Sequence, residues 1–139
     1  MTYKPGFKPA LFGICVLVAA AAVAAGQRPV TTGIVVRGVT VPGHGAAGAS
    51  TGRTCDFSSE ETTMAGKMTG ASVQCASGAT LATALAHLPA RFNAYCAAQA
   101  SRVGGQLISA PVPGNAEHCD LSALSPKDAT AKFGGAVRR

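Results

Sequence analysis

SGATLATALAHLPARFNAYCAAQASRVGG, Ser77 to Gly105, is the longest patterned stretch of the chain and decides its fold class. Leu81, Leu85 and Leu88 recur at the spacing of one helix face, and Pro89 breaks or restarts the helix. Phe92, Cys96, Gln99 and Val103 then form a second stripe, which Gly104 and Gly105 stop. On this reading Cys96 points with Phe92 toward a core. Arg91, Tyr95 and Arg102 lie about 100° round from that stripe, flanking the buried face and accessible to solvent. Two guanidinium groups around an aromatic ring suit an anionic partner, although an ordinary solvated helix face is the favoured account of them.

The flanking segments extend the helical reading. In SSEETTMAGKMTG, Ser58 is an N-cap with Glu61 as its capping-box partner, Met64 and Met68 stack at i, i+4, and Gly70 ends the turn. Near the C-terminus Ser125 caps a helix with Pro126 at N1 and Asp128 at N3, ending at Gly134-Gly135. Extended structure is expected mainly in GIVVRGVTV, Gly33 to Val41, which is dense in β-branched residues and bends at Gly38. QLISA is a short strand and PVPGN a turn. Pro42 to Arg53 has four glycines in twelve residues and reads as a flexible linker. The expected fold is therefore mainly α, with a small α+β arrangement as the variant: a four-cysteine helical domain over 54–139, behind an extended and glycine-rich segment over 26–53.

Residues 1–25 read as a signal peptide. Lys4 and Lys8 precede an uncharged apolar run from Ala10 to Gly26, 17 residues long. That is the lower edge of the ~17 to 25 needed to span a bilayer, so an uncleaved anchor is the alternative. Small residues allow cleavage after Ala24 or Ala25. Cys15 lacks the small preceding residue of a lipid-attachment site, since Ile14 stands there. Cleavage removes Cys15 and leaves an even four cysteines, Cys55, Cys75, Cys96 and Cys119. In an oxidising compartment these imply two disulfides with three possible connectivities. The bridges have a physical role, because only 20 of the 114 residues after Ala25 are Leu, Ile, Val or Phe.

Apparent motifs in the glycine-rich segment follow from composition. Gly43-His44-Gly45-Ala46-Ala47-Gly48 spells a dinucleotide fingerprint, but no helix start follows it. Arg53 replaces the lysine of a near phosphate-binding loop, and Gly48 to Gly52 matches G-x-S-x-G without the strand and helix that a nucleophile elbow requires. His118-Cys119 with another cysteine lacks the close ligand pairs of zinc sites, so disulfides are preferred to metal. Glu60 and Glu61 suit a helix first turn, and His87 is read as structural.

No catalytic, cofactor or metal residues are assigned. After cleavage ten basic residues face six acidic ones with no long like-charge run, so a protein or an anionic envelope component is the expected partner and nucleic acid is not. The function expected is that of an exported, periplasmic or secreted, non-enzymatic binding or structural protein of a bacterial cell envelope. A small secreted hydrolase and a single-span inner-membrane protein displaying a periplasmic domain are the alternatives.

Overall fold

A strand with valine on both of its faces organises the molecule. In the computed structural model, which describes residues 27–75 and 79–139, Val35 and Val36 of Ile34–Val39 (β2) are both fully buried although they point to opposite sides. Such a strand needs a partner at each edge and cover on each face. It lies inside an eight-stranded antiparallel sheet, counted among the described residues. The other strands are Arg28–Pro29 (β1), Ser50–Thr54 (β3), Ala71–Gln74 (β4), Ala94–Gln99 (β5), Gln106–Ser109 (β6), His118–Ser122 (β7) and Gly135–Arg138 (β8). Their order is β1-β6-β7-β4-β2-β5-β8-β3. Among the described residues three short helices accompany them: Leu81–Ala86 (α1), Ala100–Val103 (α2) and Pro126–Phe133 (α3).

The expectation of a mainly α fold is thereby overturned, and the decisive element is β5. AYCAAQ is rich in good helix formers, yet it pairs with β2 along its whole length, from Ile34↔Gln99 to Val39↔Ala94. Pairing satisfies the backbone of the valine-rich strand and places Cys96 within reach of Cys55, so tertiary demand overrides local propensity. The helical stripe Phe92, Cys96, Gln99, Val103 is a coincidence of spacing across a loop, a strand and a helix. The helix expected over Ser58 to Gly70 is also absent: Thr62 bridges Met68 around a turn at Gly66, whose φ of +72° excludes a helix there. Met68 is buried and Met64 fully exposed, so the two do not stack. Expected and found are β2, β6, the turn bridging Val112 to Asn115, and α3 with Ser125 capping the amide of Asp128.

Two hydrophobic clusters sandwich the sheet. The larger holds all four cysteines with Val35, Phe57, Met68, Val73, Leu121 and Phe133, and α2 and α3 contribute to it. Cys55 is bonded to Cys96 and Cys75 to Cys119, both bridges fully buried. The smaller cluster lies on the opposite face, where Val36 and Tyr95 meet Ala84 and Leu88, with Ile34, Leu85, Phe92 and Val137 around them. Residues from both sides of position 53 share the sheet: β2 is internal and β3, drawn from the glycine-rich segment, is an edge. The loop before β3 is held by Arg138, which donates to the carbonyls of Gly43 at 2.9 Å and Pro42 at 3.0 Å. The leader, its cleavage sites and Cys15 lie outside the described residues.

Candidate functional site

Side-chain alternation on β4 and β7 generates the site. Ala71 and Val73 of β4 and Cys119 and Leu121 of β7 face the larger cluster. Ser72, Gln74, His118 and Asp120 therefore occupy the other face, with Ser72 opposite Asp120 and Gln74 opposite His118. The smaller cluster covers only part of that face. Between them runs a cleft of about 320 Å³, with Ser72, Gln74 and His118 along its polar side and Val36, Leu88, Pro89 and Phe92 along its apolar side.

Two side-chain oxygens of residues lining the cleft lack partners. Gln74 is 5% exposed, and its Oε1 has no hydrogen-bond partner; the buried Oδ1 of Asn115, another lining residue, has none either. An unsatisfied buried polar group costs about 1–3 kcal/mol and is uncommon in native structures. His118 is fixed at both ring nitrogens: Nδ1 lies 2.8 Å from the carbonyl of Ala110 and Nε2 lies 3.0 Å from Ser72 Oγ. A carbonyl only accepts, so Nδ1 donates to Ala110, and in the matching tautomer Nε2 accepts from the Ser72 hydroxyl. The lone pairs of Ser72 Oγ then remain as a further acceptor. Asp120 Oδ1 is 4.0 Å from the same Nε2, not from Nδ1.

Two arginines frame the opening. Arg37 pairs with Glu60, donates to the Ser72 carbonyl at 2.9 Å, and lies 4.6 Å over the Phe57 ring. It is committed to tying the segment around Asp56 to the sheet. There Ser58 donates to Asp56 through its hydroxyl at 2.6 Å and its amide at 2.8 Å, which lowers the Asp56 pKa. Arg91 is exposed, with its guanidinium 4.6 Å over the ring of Phe92, and has no salt-bridge partner among the described residues. Phe92 rests on Gly38, where a Cβ would stand only 2.5 Å from Cδ2 of the ring. Glycine at 38 thus serves close approach of an aromatic ring rather than a bend. A larger hollow, about 580 Å³, lies on the other side of Phe92 between Arg37, Thr40, Arg53 and Asp56, but it is open to solvent and holds no buried unsatisfied side chain.

The structure separates the three residues considered for partner binding. Arg91 stands on the loop between α1 and β5, Tyr95 is buried in the smaller cluster, and Arg102 is exposed on α2, whose Ala100 and Val103 pack into the larger cluster. Only Arg91 lines the cleft. His44 is on the loop after β2 and His87 caps the C-terminus of α1. The four cysteines are all consumed by disulfides, Cys119 included. Sequence reasoning missed Ser72, Gln74 and Asn115. The available signal was the alternation in ASVQC and HCDLS, which puts apolar residues on one face and polar ones on the other.

No family model matches the chain, and no solved structure does. Protein RhiC of Rhizobium leguminosarum bv. viciae is 53% identical to it over 115 residues, which make up 82% of this chain and 77% of that protein. At that identity and coverage, the chain belongs to the same family as Protein RhiC.

Proposed function

We propose that the protein is an exported, non-enzymatic binding protein of the bacterial cell envelope, periplasmic or secreted, and that the cleft between β4, β7 and the α1–β5 loop is where it binds. The observation that carries the reading is the buried Gln74 side chain, which lines the cleft and whose carbonyl oxygen has no partner. A ligand donating to it recovers a hydrogen bond that folding leaves unmade. Two buried disulfides support an oxidising compartment. Among the described residues no helix is long and apolar enough to cross a membrane.

The Ser72–His118 hydrogen bond favours a hydrolase as the second reading. It is the weaker one, because a carboxylate that orients a catalytic imidazole binds Nδ1, and Asp120 approaches Nε2 instead. A serine-reactive fluorophosphonate separates the two: a binding protein stays unlabelled, and a hydrolase is labelled at Ser72.

Small-molecule fractions of the native envelope, screened by thermal shift, test the binding reading directly. At least one fraction is expected to stabilise the wild type and to lose its effect on Ser72→Phe, which fills the cleft from an exposed position. Stabilisation of both proteins alike, or of neither, overturns the assignment.

A further inference from the structure

We infer that the cleft selects small organic carboxylates that also carry N–H or O–H donors, with the carboxylate on Arg91 and the donors on Gln74, Asn115 and Ser72. This rests on the reading of the cleft as the binding site and adds the chemistry of its ligand. The unsatisfied acceptors, Gln74 Oε1 and Asn115 Oδ1, call for donors, as does Ser72 Oγ once its proton is given to His118. A ligand without donors would leave those acceptors unmet.

Charge is supplied at another point. Arg37, the other cation lining the cleft, is already engaged by Glu60 and the Ser72 carbonyl. Arg91 is engaged only by stacking on Phe92, which holds the guanidinium plane but leaves its N–H edges for a bidentate carboxylate. Phe92 itself is held against Gly38, so the cation is presented from a fixed support. The acceptors thus line the cleft beside β4 and the cation stands on the α1–β5 loop, with Leu88 and Pro89 offering apolar contact. At about 320 Å³ the cleft takes something of dipeptide or sugar-acid size. Peptidic carboxylates and uronic acids share this chemistry.

Isothermal titration of the oxidised, full-length mature protein with four probes tests the inference: N-acetyl-alanyl-alanine, its C-terminal amide, glucuronate and glucose. At least one carboxylate is expected to bind ten or more times more tightly than its neutral counterpart, and the member that binds identifies the peptidic or the sugar-acid source. Arg91→Gln should erase that preference, and Gln74→Met should weaken binding about tenfold while thermal stability stays equal or rises, because the substitution removes an unsatisfied buried oxygen. Should a neutral probe bind as tightly as its acid, and lose binding in Ser72→Phe, the carboxylate inference falls while the cleft remains the binding site. Binding that survives Ser72→Phe and Gln74→Met places the ligand elsewhere and overturns both. No heat from any probe, with envelope fractions still stabilising the wild type, overturns the ligand class alone.

Discussion

Replacing Gly38 by alanine isolates the contact that builds the apolar side of the cleft. The added Cβ would stand 2.5 Å from Cδ2 and 2.6 Å from Cγ of Phe92, and 2.8 Å from Cδ1 of Leu88, where ordinary contact begins near 3.4 Å. The Leu88 methyl can rotate away, but the Phe92 ring must shift by most of an ångström. Overpacking of this kind costs about 1–3 kcal/mol. Working against it, alanine restricts the unfolded chain and returns about 0.4–1 kcal/mol. A net destabilisation of about 1–2 kcal/mol is expected, read as a lower urea midpoint with an unchanged slope and disulfides intact. The diagnostic step repeats the substitution in a Phe92→Ala background. With the ring gone the clash disappears and only the entropic gain remains, so Gly38→Ala should become neutral or stabilising. Equal destabilisation in both backgrounds would refute the reasoning and make Gly38 a backbone requirement unrelated to Phe92.

Peptide mapping without reduction should recover only Cys55–Cys96 and Cys75–Cys119 among these four cysteines, and alkylation of the unreduced, denatured protein should label none of the four; labelling at two or more of them would contradict the pairing. With sequence separations of 41 and 44, loss of either bridge by paired alanine substitution should cost about 4 kcal/mol on the chain-entropy account, measured by urea unfolding. Ser125→Ala removes the cap on the Asp128 amide and should cost about 1 kcal/mol, whereas an effect within error would mean that α3 is held by packing alone. Asp56 should titrate below its ordinary carboxylate range by NMR and move back toward it in Ser58→Ala. Because its folded pKa is lowered, the stability it contributes is present above the unfolded value and is lost as pH falls through the folded one.

What local signals describe was legible in the sequence. Ser125, Pro126 and Asp128 set the start of α3, where the information lies within one turn. The four cysteines announced two bridges, although their pairing depends on which strands meet and composition is silent on that. Sheet partners were the information lost. Gly33 to Val41 is apolar without alternation, the mark of a strand covered on both faces, and a single such strand among helices has no partner for its backbone. Followed through, that argument demands strands from segments rich in alanine or in polar residues, here AYCAAQ and ASVQ, whose own propensities point elsewhere or nowhere. The site went unread for the same reason. Gln74 and His118 are 44 positions apart and meet only through the β4–β7 register, and Arg91 stands at their cleft stacked on Phe92, whose ring lies on Gly38.

Amide-shift mapping of the oxidised protein during titration with the tightest carboxylate probe tests the central claim most directly. Saturable shifts are expected to centre on Ser72, Gln74, Arg91, Phe92, Asn115 and His118, with the Gln74 side-chain amide among the largest. Saturable shifts centred on β3 or on α2 and α3, with those residues unmoved, would contradict the assignment of the cleft as the binding site.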